Sequence, residues 1–253
     1  MKFKNGQTIF YQSLTDDVIK SHQQDYQLPK SYKWQKNSVY ICIQQVFQWL
    51  ISGFAYFYCH WWLHIRYVNG NLLKQLHSGA YLYANHTQPQ GDVFSPFCVI
   101  HHPAVIVSPA NLGIPIIGRL IPLGGGLPIP NNIRDMHRFT EAVYQQVDQN
   151  HTVVIYPEAH VWPFATRIRP FNETSFHYPS YHPAPVYTMT TTYQASKWHQ
   201  KPNITVYLDG PFFVDTSLPA KQRQKDLHDK VMLQFEKRSQ NSSYAYLNYE
   251  RRL

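Results

Sequence analysis

The sequence predicts an α/β domain, a largely parallel or mixed sheet flanked by helices, preceded by an N-terminal aromatic membrane-docking helical segment. Three observations carry this. Short apolar or β-branched runs bounded by breakers recur at 79–84, 104–107, 152–156, 185–189 and 203–208, the pattern of buried strands. Between them, residues 134–149 place Met136, Phe139, Val143 and Val147 on one helical face, so strand and helix signals alternate. Ahead of them, no charged residue stands between Lys36 and Arg66.

With 253 residues, and neither a repeat nor a linker, the chain has room for one large core. Its 23 Lys+Arg against 15 Asp+Glu favour anionic partners: lipid headgroups, phosphorylated small molecules, an acidic carrier protein or nucleic acid. No nucleic-acid module such as an RRM or helix-turn-helix accompanies that charge, so nucleic acid is not expected. Cys42, Cys59 and Cys98 form no C-x-x-C pair and no disulfide framework. Lys2 and Lys4 are followed by polar and acidic residues rather than an apolar core, so a cytosolic setting without a secretory leader is expected.

Taken in order, residues 1–37 read as a polar arm or short helices, ending in the extended Leu28-Pro29. Residues 38–66 form the aromatic segment, with Gln44-Gln45, Gln48, Ser52, Gly53 and His60 as its weak interruptions. A helix of that length covers a bilayer core of roughly 20 residues. Trp49, Trp61, Trp62 and the neighbouring Tyr and Phe side chains instead favour the headgroup level. Gly53 allows a hairpin that dips in and returns, and a helix packed on the domain is the third option. His60 and His64 lie one helical turn apart without a third ligand, so no metal is expected. Residues 67–253 hold the sheet. They end in a helix over 217–240, with Ser217 as its cap, Pro219 in its first turn and Leu227, Val231 and Phe235 as its stripe.

The chemistry gathers where two strands end. Tyr81–Ala84 breaks into a polar loop holding His86 and Asp92, and Thr152–Tyr156 ends in Pro157 and Glu158. In an open α/β sheet, such C-terminal strand ends form the site. Residues six apart on one helix face different ways, so His86 and Asp92 meet only if the first lies in a loop and the second at a helix start. Pro89 and Gly91 supply that loop. An Asp on one imidazole nitrogen fixes the tautomer and frees the other nitrogen to take a hydroxyl proton. The bland alternative is a surface His beside a capping Asp.

Asn85-His86 with Asp92, then Gly126-Leu-Pro-Ile-Pro130, then Tyr156-Pro157-Glu158, then Pro185-Val186 resemble in order the four motif blocks of the glycerolipid acyltransferases. These enzymes acylate lysophosphatidic acid or glycerol 3-phosphate. The likeness covers about residues 67–210, and the aromatic segment resembles the family's membrane-docking helices. It implies that His86 is the general base on the acceptor hydroxyl, held by Asp92, while an acyl thioester is attacked directly. Departures are plain: five residues rather than four separate His86 from Asp92, and Asn131 stands where the second block has Arg. In the third block, Ala159-His160-Val161 replaces Gly-Thr-Arg, the residues associated with the acceptor's phosphate. Arg134, or Arg167 and Arg169, can replace them as a bidentate phosphate grip; the plain alternative is ordinary surface arginines.

The resemblance thus implies an acyltransferase working on a lysophospholipid or glycerol-phosphate-like acceptor, with Pro157, Glu158, Asn131, Arg134, Arg167 and Arg169 on the substrate side. Acyl-CoA or acyl carrier protein is the donor, with no other cofactor and no metal. Membrane lipids are the further partner, and the expected location is the cytoplasmic face of a membrane, peripheral or monotopic. The rival is a catalytically silent lipid-binding or scaffolding protein, in which the altered second and third blocks mark lost activity.

Overall fold

The computed structural model describes residues 3–19 and 23–252. The expectation resting on Met1 and Lys2 lies outside them, as do 20–22 of the polar arm and Leu253. Seven strands form one mixed sheet in the order β2 (Ile65–Val68), β8 (Asn203–Phe212), β7 (Val186–Gln194), β3 (Ala80–Ala84), β6 (Thr152–Ile155), β4 (Pro103–Val107), β5 (Gly126–Pro128). All neighbours are parallel except β7 and β8, which form an antiparallel hairpin. Two further strands, β1 (Gln7–Tyr11) and β9 (Leu247–Arg251), pair in parallel as a separate ribbon.

The central strands read as unbroken apolar runs because helices cover both their faces. Every residue of β3 and β6 is buried. Alternation decides which way each side chain goes. Ala80, Leu82 and Ala84 join one core with residues of α1 (Ser38–Phe57) and α2 (Gly91–Val99). Tyr81 and Tyr83 join the other core, with residues of α4 (Met136–Asp148) and α6 (Ala220–Ser239). Their hydroxyls donate to His182 O and Ser175 O, which makes burial of two tyrosines tolerable. The short helices α3 (Ile117–Leu120) and α5 (His177–Tyr181) complete the layers.

Where the sequence left alternatives open the structure decides between them, and one expectation, the Ser217 cap, is corrected. Residues 3–19 and 23–37 are tied to the domain: β1 is paired, the Trp162 indole N–H donates to Asp16 O, Leu28 N donates to Asn131 Oδ1, and Trp34 sits on Phe139 with its indole N–H donating to Pro128 O. Gly53 makes no hairpin, because α1 is one unbroken helix of 20 residues whose inner side is anchored by Gln48. Among the described residues no helix is long and apolar enough to cross a membrane. Ser217 does not cap α6, which starts at Ala220, since the Asp215 carboxylate takes both the Ser217 N–H and its hydroxyl.

At the N-terminal strand ends, His151 and His102 face each other with ring centroids 5.4 Å apart, His151 Nδ1 lying 2.8 Å from Gln146 Oε1. Burial, and then His102, lower the His151 pKa from 6.5 to about 4. Between those values the unfolded chain binds a proton that the folded chain refuses, so stability falls as pH drops through the window and levels off below it. Melting temperatures measured from pH 7 to pH 4 are expected to show that slope, flattened in His151→Gln.

Candidate active site

Since β3 lies beside β6 in parallel, their C-terminal ends deliver the 85–90 and 156–165 loops to one place. Asn85 keeps the first loop against β7: its amide donates to Thr191 O and accepts from Thr191 N. Gln88 Nε2 donates to Thr191 Oγ1, and the Tyr193 hydroxyl donates to Thr87 O. The chain then enters α2, with Asp92 in its first turn. A Cβ on Gly91 would lie 1.9 Å from Gln88 Oε1, so a larger residue there would have to push the Gln88 side chain off Thr191.

His86 and Asp92 are brought together: Nδ1 lies 2.8 Å from Asp92 Oδ2, with the imidazole 21% and the carboxylate 3% exposed. A carboxylate only accepts, so Nδ1 carries the proton and Nε2 keeps its lone pair. The same Oδ2 accepts from Gln88 N at 2.9 Å. Burial raises the Asp92 pKa above the ordinary value, opposed by His86 and by the backbone N–H groups of Gln88 and Thr87. The backbone of His86 is held on both sides, its N–H donating to Glu158 Oε2 (3.0 Å) and its carbonyl accepting from Trp162 N (3.0 Å).

Tyr156 is a residue that sequence reasoning passed over. Its ring lies against His86, centroids 4.4 Å apart, and its hydroxyl donates to Asp92 O at 2.7 Å. One side chain thus sets the height of α2 relative to β6 and packs the base. Tyr156→Phe is expected to lower turnover by about fivefold and the melting temperature by about 2–4 °C, the worth of one buried hydrogen bond of ~1 kcal/mol. A rate within twofold of wild type would remove that role.

The substrate-side residues divide between the interior and the surface. Glu158 and Arg169 form a buried ion pair, Nη2 to Oε2 3.2 Å, with side chains 1% and 4% exposed. Glu158 Oε1 also accepts from Arg169 N, while the guanidinium lies over the Trp162 ring and donates to His160 O and Leu14 O. Burial leaves Arg169 no face for a phosphate; the pair holds the two loops together. Asn131 accepts from Leu28 N at 2.7 Å, so it tethers the N-terminal segment. Arg134 and Arg167 are exposed, and neither hydrogen-bonds the His86 loop. Pro157 is half-buried between Tyr156 and Glu158. Among the described residues no group of three His, Cys, Asp or Glu is placed to hold a metal.

Comparison with protein-family models finds no match, and neither does comparison with curated proteins. Among solved structures, this chain is similar to the crystal structure of the 1-acyl-sn-glycerophosphate (LPA) acyltransferase PlsC from Thermotoga maritima. The TM-score is 0.58 at 14% identity, over 79% of this chain and 83% of that one. The two share a fold. At this identity the likeness speaks for architecture, which agrees with the α/β sheet expected from the sequence.

Ala159, where the motif of the glycerolipid acyltransferases has Gly, sits at φ 63°, a left-handed conformation that glycine adopts freely and alanine at a cost.

Proposed function

We propose that the protein transfers a fatty acyl group from a thioester, acyl-CoA or acyl carrier protein, to the hydroxyl of a lysophospholipid or glycerol-phosphate-like acceptor. The observation that carries this reading is the His86–Asp92 pair at the C-terminal end of β3, on a fold shared with an acyltransferase. His86 Nε2 takes the acceptor's hydroxyl proton as the oxygen attacks the thioester carbonyl. The new C–O bond forms, the C–S bond breaks, and the imidazolium returns its proton to the leaving thiolate. Asp92 holds the ring in the productive tautomer and offsets its positive charge.

Membrane association at the cytoplasmic face belongs to the same proposal, and α1 supports it by turning its largest apolar side chains outward. Gln44, Gln48 and Ser52 point inward, the two glutamines donating to Pro122 O and Pro103 O. The outward side shows Val46, Trp49, Leu50, Phe57, Trp61 and Trp62, all 57–75% exposed. A water-exposed helix normally has the reverse arrangement. A helix lying in a bilayer interface has this one.

Purified protein incubated with acyl-CoA or acyl carrier protein thioesters and a panel of lysolipids, followed by mass spectrometry, tests the reading. Ester formation on one acceptor class supports it. Binding without ester favours the silent lipid-binding alternative, for which Arg169 and Asn131 being engaged within the protein is the specific support.

A further inference from the structure

From Tyr26 to Arg134 the sequence holds one acidic residue, Asp92, which lies buried under His86, against seven Lys or Arg. This stretch supplies α1, α2 and α3. The opposite layer, α4 and α6, carries Glu141, Asp148, Asp226, Asp229 and Glu236. Those two helices also carry Arg138, Lys221, Arg223, Lys225, Lys230, Lys237 and Arg238, so what sets the α1 side apart is that its three helices show no exposed carboxylate and a single cation, Arg119.

On that side stands a second apolar feature outside α1. Ile116, Ile117 and Leu120 are 80%, 56% and 42% exposed, with the exposed Arg119 between them. Ile116 sits at φ 65°, a backbone conformation that β-branched residues rarely adopt. The strain is held by Gly118 N bonding to Ile114 O at 2.8 Å, and in water it displays a bare isoleucine for no return. The chain just after α3 is stitched to the inner side of α1. Gln44 Nε2 reaches Pro122 O (3.1 Å), Gln48 Nε2 reaches Gly124 O (3.3 Å), and Ile51 packs beside Gly124. The short helix is thereby fixed next to α1 on the same layer.

We propose that α3 is a second membrane limb. Ile116, Ile117 and Leu120 enter the acyl region of the bilayer on which α1 lies, and Arg119 meets the phosphates of anionic lipids. The inference rests on the membrane-facing reading of α1 but not on the acyl-transfer chemistry. The occupant is a lipid surface rather than a second copy of the chain, because the same helices of a second copy offer Arg119 no exposed carboxylate, while an anionic bilayer supplies phosphates to it and an acyl region to the isoleucines and Leu120 beside it. Two limbs also fix the rotation of the protein about α1, which one helix alone leaves free.

Co-sedimentation of the full chain with vesicles of phosphatidylcholine, with and without phosphatidylglycerol, tests this. The triple variant Ile116→Ser/Ile117→Ser/Leu120→Ser is expected to partition roughly a thousandfold more weakly than wild type, about tenfold for each apolar side chain lost. Arg119→Gln is expected to weaken binding about fivefold, and only on vesicles containing phosphatidylglycerol. An environment-sensitive probe on Ile116→Cys should shift to the blue on vesicles, a readout that needs no loss of function. Wild-type partitioning by the triple variant together with an unshifted probe, or a wild type that ignores vesicles, overturns the proposal. A Trp49→Ser/Trp61→Ser variant separates the two readings: if it alone loses binding, α1 docks and α3 does not. A concentration-dependent dimer that the triple variant abolishes, with vesicle binding unchanged, would assign the face to a second copy instead and also overturn it.

Discussion

Asp92→Asn is expected to lower kcat by roughly 10²–10⁴, the range that positioned proton transfer supplies, while KM for both substrates changes little. The substitution keeps size and removes charge. The Asp92 Oδ2 accepts from both His86 Nδ1 and Gln88 N, a double demand that a carboxylate oxygen meets readily. An amide has one oxygen to give. Placed at the Oδ2 position it can still accept from both groups, but it carries no charge to offset the imidazolium, and the NH₂ is left at the buried Oδ1 position, which has no hydrogen-bond partner. The variant should fold, because the Gln88 contact and the Tyr156 bond to Asp92 O survive. Measured kcat within threefold of wild type would mean that Asp92 is a helix-capping acid and nothing more.

The second large effect is on stability. Glu158→Ala is expected to destabilise the protein by about 3–5 kcal/mol, since it strands the Arg169 charge in the interior. It also removes the acceptor of the His86 and Arg169 backbone N–H groups. Burial already holds the Arg169 pKa below its ordinary value against the pull of Glu158, a sign of how unfavourable that charge is where it sits. For a chain of this size the melting temperature should drop by roughly 10 °C or more. Replacing both partners, as Glu158→Leu/Arg169→Met, should recover part of the loss because no lone charge is left behind. If Glu158→Ala instead melts like wild type and raises KM for the acceptor alone, the residue belongs to the substrate after all.

These two sites mark how far the sequence could be read. β3 and β6 were legible because strands covered on both sides are apolar throughout, and His86 with Asp92 followed from the loop signals Pro89 and Gly91. Glu158 was found as a strand-end residue, but its partner was not, since Arg169 lies eleven residues on through an irregular loop with no periodicity to follow. β2 was hidden inside the aromatic run, where Ile65–Val68 continues the same composition. The β1–β9 ribbon joins the two ends of the chain, and no local pattern reports such a pairing. The anchors Thr191 and Tyr193 did leave a trace: Thr188, Thr190, Thr191 and Thr192 are a run of hydroxyls in a buried strand, and buried polar side chains want partners. The polar residues Gln44, Gln48 and Ser52 left another, recurring every four residues as one side of a helix does, with the apolar side turned outward.

The account stands on His86 acting as the base in ester formation, and one measurement meets that claim head-on. Wild type and His86→Ala, matched by circular dichroism and melting temperature, are given the same acyl thioester and lysolipid panel, and the acylated product is counted by mass spectrometry. The account predicts product from wild type and a yield at least a hundredfold lower from the variant at equal time. Product formed equally fast by both proteins, or by neither, would contradict it.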